Sequence, residues 1–151
     1  MTRIVCYGDS NTYGWDPRFF SGDRYDHPWP EQLADMTGYS VANCGEPGRV
    51  VPYRKEYLEW FRKDVRKYQP ELLVIMLGTN DLINMPVPDA GKTAVNMEQM
   101  IRYAKHNQLS KEILLLSCPG AYIEGGFYLP ALHDLSDRYQ ENCREGKNPF
   151  C

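Results

Sequence analysis

The chain has 151 residues, 42% of them hydrophobic and 25% charged, with a net charge of −3. That is the length and composition of one globular domain, residues 1–151, with enough apolar content to close a core. The mildly acidic balance leaves no basic surplus for nucleic acid or an anionic membrane surface, so neither is expected as a partner.

Five cysteines form an odd set with no Cys-x-x-Cys pair, and the chain runs from Met1 into a strand without an apolar signal segment. Reduced thiols and a cytoplasmic location are the expectation. The longest apolar runs, 72–77 and 113–116, are too short to cross a bilayer. Aromatic residues make up 13% of the chain, eleven of them tyrosine. Such content suits an aromatic-lined cleft, although aromatics serve more commonly as core.

Arg3-Ile4-Val5-Cys6 reads as a buried first strand, and Tyr7-Gly8-Asp9-Ser10-Asn11-Thr12-Tyr13-Gly14 follows at its carboxyl end. In an α/β sheet that edge is where ligands sit. Gly8 opens a tight turn there and Ser10 projects a hydroxyl from it, although Gly, Asp, Ser and Asn are also ordinary turn residues. Residues 15–28 lack a period and are rich in breakers, which predicts a loop over the strand ends. Trp29 to Met36 reads as a helix, with Pro30 in its first turn and Gly38 as its stop.

Tyr39 to Cys44 is the expected second strand, and Gly45 to Arg49 a loop. From Tyr53 to Tyr68, Tyr57, Trp60, Phe61 and Val65 recur at helical spacing between charges, which predicts an amphipathic surface helix. Glu71 to Leu77 is the most apolar strand and therefore expected near the centre. After the rigid stretch 85–89, Asp89 is placed to cap a helix Ala90–Asn107 that buries Ala94, Met97, Ile101 and Ala104. Glu112 to Ser117 predicts a fourth strand, ended by Cys118-Pro119-Gly120. Phe127 to Arg144 predicts a last helix with Leu132, Leu135 and Tyr139 on one face, and 148–151 the first residues of a fifth strand. Strand and helix alternate throughout, so the fold class is α/β, a three-layer α/β/α sandwich on a parallel sheet.

Three strand ends thus carry Gly8-Asp9-Ser10, Asn43-Cys44-Gly45 and Gly78-Thr79-Asn80-Asp81. In order and spacing these resemble the first three signature blocks of the SGNH hydrolases, also called the GDSL esterase/lipase family. Gly-Asp-Ser-Asn-Thr-Tyr-Gly is similar to its bacterial arylesterase-type branch. The resemblance implies a flavodoxin-like strand order 2-1-3-4-5 and a serine ester hydrolase. It makes Ser10 the nucleophile, with Ser10 N–H, Gly45 N–H and the Asn80 side chain as donors to the oxyanion. Asp9 and Asp81 are read as residues that shape their own loops. The family's fourth block, Asp-x-x-His, has no counterpart in 1–151, so the resemblance implies a C-terminally incomplete sheet, lacking the rest of strand five, the loop with Asp-x-x-His and a final helix.

His27, His106 and His133 are the histidines, and none has an aspartate three residues before it. A chain without that base is expected to be weak or inactive on its own. Cys44 and Cys118 also end strands, but nothing near either in sequence activates a thiol. The substrate expected is a small acyl ester or acetylated sugar, with Tyr13, Trp15 and Arg18 shaping its site. No cofactor or metal is expected, and the exposed sheet edge suggests a homodimer. The alternative is a catalytically impaired binding module that keeps the pocket. A phosphate-binding turn is the weakest alternative, for neither a P-loop lysine nor Gly-x-Gly-x-x-Gly is present.

Overall fold

The computed structural model describes residues 1–119, 122–123, 127–128 and 130–144. Four parallel strands form its centre: β1 (Arg3–Gly8), β2 (Ser40–Gly45), β3 (Leu72–Met76) and β4 (Glu112–Leu115). Their spatial order is β2-β1-β3-β4, the flavodoxin-like arrangement, and no described residues add a fifth strand to this sheet. Register runs Val5 to Ala42 and to Leu73, and Val74 to Leu114. Around the sheet stand α1 (Ser10–Tyr13), α2 (Trp29–Thr37), α3 (Lys55–Arg66), α4 (Thr79–Ile83), α5 (Ala90–His106) and α6 (Pro130–Arg144).

Strand alternation sorts the core into two faces. Val5, Tyr7, Leu73 and Ile75 pack with Phe61 and Val65 of α3, Met97 and Ile101 of α5, and Leu132 and Leu135 of α6. On the opposite face Ile4, Cys6 and Val74 meet Trp29 and Leu33 of α2. Leu73, Val74 and Ile75 are buried in succession because both faces of a parallel strand are covered. Each such side chain contributes roughly 1.5–3 kcal/mol by leaving water. The layers are unequal, since α2 is the one helix in the second cluster among the described residues. None of those residues forms a helix long and apolar enough to cross a membrane.

Local signals account for most boundaries. Gly38 adopts φ 68° and returns its N–H to Ala34 O, which ends α2. Asp89 accepts from Lys92 N at 2.8 Å and starts α5. The third helix is shorter than its hydrophobic period predicts, and Trp60 is 59% exposed. Leu58, Phe61 and Val65 occupy the inward stripe, leaving Tyr57 half-buried and Trp60 outside.

The last helix also differs, starting at Pro130 rather than Phe127. Proline suits a first helical position and steers its predecessor away from helix. Phe127–Tyr128 instead pairs antiparallel with Tyr122–Ile123 as β6 and β5. The expected strand at 148–151 lies outside the described residues.

Candidate active site

The serine turn rests on two glycines. Gly8 and Gly45 end β1 and β2 as register partners. A Cβ on Gly45 would stand 2.1 Å from Tyr13 N, and one on Gly8 would stand 2.0 Å from Thr12 Oγ1. The missing side chains let α1 settle directly on the strand ends. Asp9, almost fully buried, caps this short helix by accepting from Asn11 N at 2.9 Å and Asn11 Nδ2 at 3.1 Å. Its carboxyl pKa is raised by burial, which outweighs those hydrogen bonds. Asp9 therefore shapes the turn, as expected from its position beside Ser10.

Ser10 is the first residue of α1 and partly exposed. Its N–H belongs to the first turn, where a helix supplies no acceptor. It opens on a cleft of about 360 Å³ lined by Asn11, Gly14, Trp15, Pro17, Tyr25 and Thr79. Trp15 thus stands where its sequence position suggested. Tyr13 does not line this cleft: Arg24 stacks over its ring at 4.9 Å and donates to its carbonyl. Arg18 is also absent from the lining, because Asp16 accepts from both its Nε and an Nη. The Arg18 hydrogen bonds hold Asp16 below the usual carboxylate range. Asn11, Pro17, Tyr25 and Thr79 were missed as lining residues, since only the folded loop brings them to Ser10.

Gly78 leads from β3 into α4 at φ 130°, and a Cβ there would meet Leu135 Cδ2 at 2.5 Å. Only glycine suits both that backbone and the closeness of α6. Thr79 then lines the Ser10 cleft with Oγ1 buried, beside the Cys118 thiol. Asn80 lines a neighbouring cavity of about 430 Å³ with Val50, Tyr53, Asn84 and Lys92. Its Nδ2 donates to Arg49 O at 3.0 Å. That bond uses one of its two amide N–H groups, and Asn80 is not among the residues that line the Ser10 cleft.

Gly45 is different from expectation. Its N–H donates to Asn43 Oδ1 at 2.9 Å, so that amide is engaged within β2. Asn43 Nδ2 reaches Thr12 O at 2.9 Å, tying the same side chain to α1. Gly45 supplies the floor beneath the serine turn rather than a free donor. Asp81 also reaches beyond its own loop, accepting from Val51 N at 3.1 Å. Burial pushes its pKa up to about 6.

Arg49 joins these parts and was read from sequence only as loop. Its guanidinium donates to Gly8 O at 3.1 Å and to Cys44 O, pairs with Glu46 at 2.7 Å, and lies 4.0 Å over the Tyr7 ring. A non-local fork of this kind leaves no local sequence signal.

None of the three histidines lines the Ser10 cleft. His27 Nε2 lies 2.7 Å from Asp35 Oδ2 at the surface. His106 ends α5 and His133 is on α6, both exposed. Cys6, Cys44 and Cys118 are poor nucleophiles, for burial raises Cys6 to about 12, Cys118 to about 11, and Cys44 above its usual value.

Residues 6–149 match the model of the GDSL-like lipase/acylhydrolase family. The chain is similar to an acetylxylan esterase of Xylanibacter ruminicola, 32% identical over 108 residues. That match covers 66% of this chain and 21% of the esterase, so the chain spans about one fifth of that relative's length. The fold is similar to that of the M. smegmatis aryl esterase, with TM-score 0.79, 22% identity and coverage of 100% of this chain and 83% of that one. A carbohydrate acetylesterase family member from Sinorhizobium meliloti is similar too, with TM-score 0.79, 22% identity and coverage of 96% and 79%.

Proposed function

The chain belongs to the GDSL-like lipase/acylhydrolase family, and from that premise we propose that it is a serine ester hydrolase for small acyl esters, including acetylated sugars. The observation that carries the reading is Ser10, held by Asp9 and the Gly8–Gly45 floor at the mouth of a cleft that also receives Thr79 from the end of β3. Ser10 Oγ attacks the ester carbonyl carbon, the bond to the alcohol oxygen breaks, and the alcohol leaves with the serine's proton. Water then hydrolyses the acyl-serine to the free acid and restores Ser10. Ser10 N–H and the second N–H of Asn80 donate to the oxyanion.

The acetylxylan esterase supports a sugar as the alcohol side, and Trp15, Pro17 and Tyr25 give the other side an apolar wall. Tyr13 and Arg18 enter this reading as residues that hold the wall in place. No described histidine lines the cleft, which favours slow turnover by this chain of 151 residues. A nucleophile and oxyanion donors without a base retain roughly 10³–10⁴ over water in well-characterised triads. The same observation favours, as second reading, a binding module that keeps the pocket.

Hydrolysis of 4-nitrophenyl acetate by the chain and by Ser10→Ala separates the two. Slow release that Ser10→Ala abolishes supports the esterase. Equal rates in both proteins, with an acetylated sugar still bound, support the module. Fast turnover lost in His27→Ala, His106→Ala or His133→Ala would show that one of them reaches Ser10 as base.

A further inference from the structure

Trp60 on the amphipathic helix α3 stands 59% exposed, and Tyr53 just before the helix is 45% exposed. Large aromatics left in water cost apolar burial, so an ordered row of them at the surface marks a contact site. These rings are ordered with respect to one another. Tyr53 meets Tyr57 edge to face with centroids 5.5 Å apart, and Tyr57 meets Trp60 at 5.2 Å. Tyr57, Trp60 and Asp64 fall at i, i+3 and i+7, one stripe along the helix. Half-buried Tyr57 braces the two exposed rings from between. Across a groove of about 270 Å³ lie Glu46, Arg49 and Val50 of the loop after β2.

An exposed indole face flanked by carboxylates, with Arg54 lying 5.2 Å over the neighbouring Tyr53 ring, suits a particular ligand chemistry. A pyranose presents a face of weakly positive C–H groups and a rim of hydroxyls. The face lies on the negative face of an aromatic ring, and the rim finds acceptors and donors beside it. Asp64 and Glu46 supply acceptors at the edge of the stripe, with side chains 40% and 66% exposed. The Tyr57 ring stands at 80° to Tyr53 and at 39° to Trp60, so the exposed Trp60 ring is the face open to a sugar and the tyrosines flank it. Tyr53 also lines the cavity that holds Asn80, so the row leads out of that cavity onto the helix surface.

We propose that Trp60, with Tyr53 and Tyr57 beside it, forms a binding platform for an oligosaccharide, continuous through Tyr53 with the Asn80 cavity. Sugar binding by this platform stands apart from the ester chemistry. Its use to hold the alcohol side of a polymeric substrate rests on the esterase reading.

The test uses the full chain with xylohexaose and cellohexaose as probes and xylose and glucose as single-residue controls. Titration calorimetry is expected to show binding of at least one hexaose and weaker binding of the single sugars. Trp60→Ala is expected to weaken the hexaose by about tenfold or more, with Trp60→Phe recovering much of it. Hydrolysis of 4-nitrophenyl acetate by Trp60→Ala is expected to match that of the unaltered chain, because Trp60 lies outside the Ser10 cleft. Two results would overturn the platform: no hexaose binding at millimolar concentration, or equal affinity in Trp60→Ala. A self-associating chain that Trp60→Ala turns into a monomer would overturn it as well, by making the stripe a protein contact. Absent ester turnover with hexaose binding intact would sink the esterase reading and leave the platform standing.

Discussion

Gly8 and Gly45 are register partners at the ends of adjacent parallel strands, and together they form the bare patch on which α1 and Ser10 sit. A methyl group on Gly45 would meet backbone atoms of Thr12 and Tyr13, which cannot swing aside as a side chain can. Gly45→Ala is therefore expected to displace the serine turn, lowering stability by about 1–3 kcal/mol as overpacking does. Ser10-dependent hydrolysis should fall further than the loss of folded protein explains. Urea unfolding and ester turnover measured on the same preparation check this. A variant with unchanged midpoint and unchanged turnover would mean that α1 does not need the bare floor.

Arg49 secures that floor from the other side. Its Nη1 donates to both Gly8 O and Cys44 O, its Nη2 to Glu46, and its own carbonyl accepts from Asn80 Nδ2. Arg49→Met keeps an apolar stem against Tyr7 but removes every donor. The expected loss is roughly 2–4 kcal/mol, the range for several charge-assisted hydrogen bonds partly replaced by water. Arg49→Lys should recover only part, because an ammonium cannot repeat the planar fork. Equal unfolding midpoints for the Lys and Met variants would show that the fork geometry contributes nothing.

A good deal of the scaffold was legible in the chain. The apolar run before Gly8, the Asp89 cap and the Pro30 and Gly38 limits of α2 all act locally, within a few residues of the structure they dictate. Gly78 was readable as part of a strand end, but its reason, the closeness of Leu135, was not. Relations across the fold left no local trace: Asp81 to Val51, Asn80 to Arg49, and Asn43 to Thr12. Trp60 shows a related limit. Periodicity marks a stripe as apolar without saying whether another element covers it.

Asp81 gives a pH dependence with a definite sign. Its folded pKa of about 6 lies above the unfolded value of 3.8, so the folded state holds the proton more tightly. The resulting stability is fully present below pH 3.8 and is lost as pH rises through about 6. The window amounts to about 3 kcal/mol at most. Asp81→Asn retains an acceptor for Val51 N and cannot ionise, so its stability between these pH values should be flatter than that of the unaltered chain. Urea midpoints at pH 4, 5, 6 and 7 for both proteins decide it. Parallel curves would remove Asp81 as the titrating group.

Asn80 is expected to act in the transition state more than in binding. Asn80→Ala should lower kcat by about a hundredfold, typical for one oxyanion donor, with little change in KM. It also leaves Arg49 O without its partner, so a stability loss of about 1 kcal/mol should accompany it. Measuring both separates the roles. A raised KM with kcat intact would make Asn80 a ligand-positioning residue and leave Ser10 N–H as the donor.

The last expectation concerns the outer strand. β4 pairs with β3 on one side, and among the described residues no strand lies on the other. Leu114 shares a register position with Val74, yet Val74 is 3% exposed and Leu114 47%, because the cover given by α2 does not extend to the outer strand. An apolar residue on an unpaired edge is a template for pairing with another chain. We propose that a second copy is the partner. Sedimentation across a concentration series should show association, together with binding of a dye that reports exposed apolar surface. Leu114→Lys should weaken both, because an edge lysine resists strand pairing, and its exposed position should leave the unfolding midpoint nearly unchanged. A chain that stays monomeric and dye-negative at the highest concentration would show that the edge closes by itself. Association undiminished in Leu114→Lys would move the contact to another face.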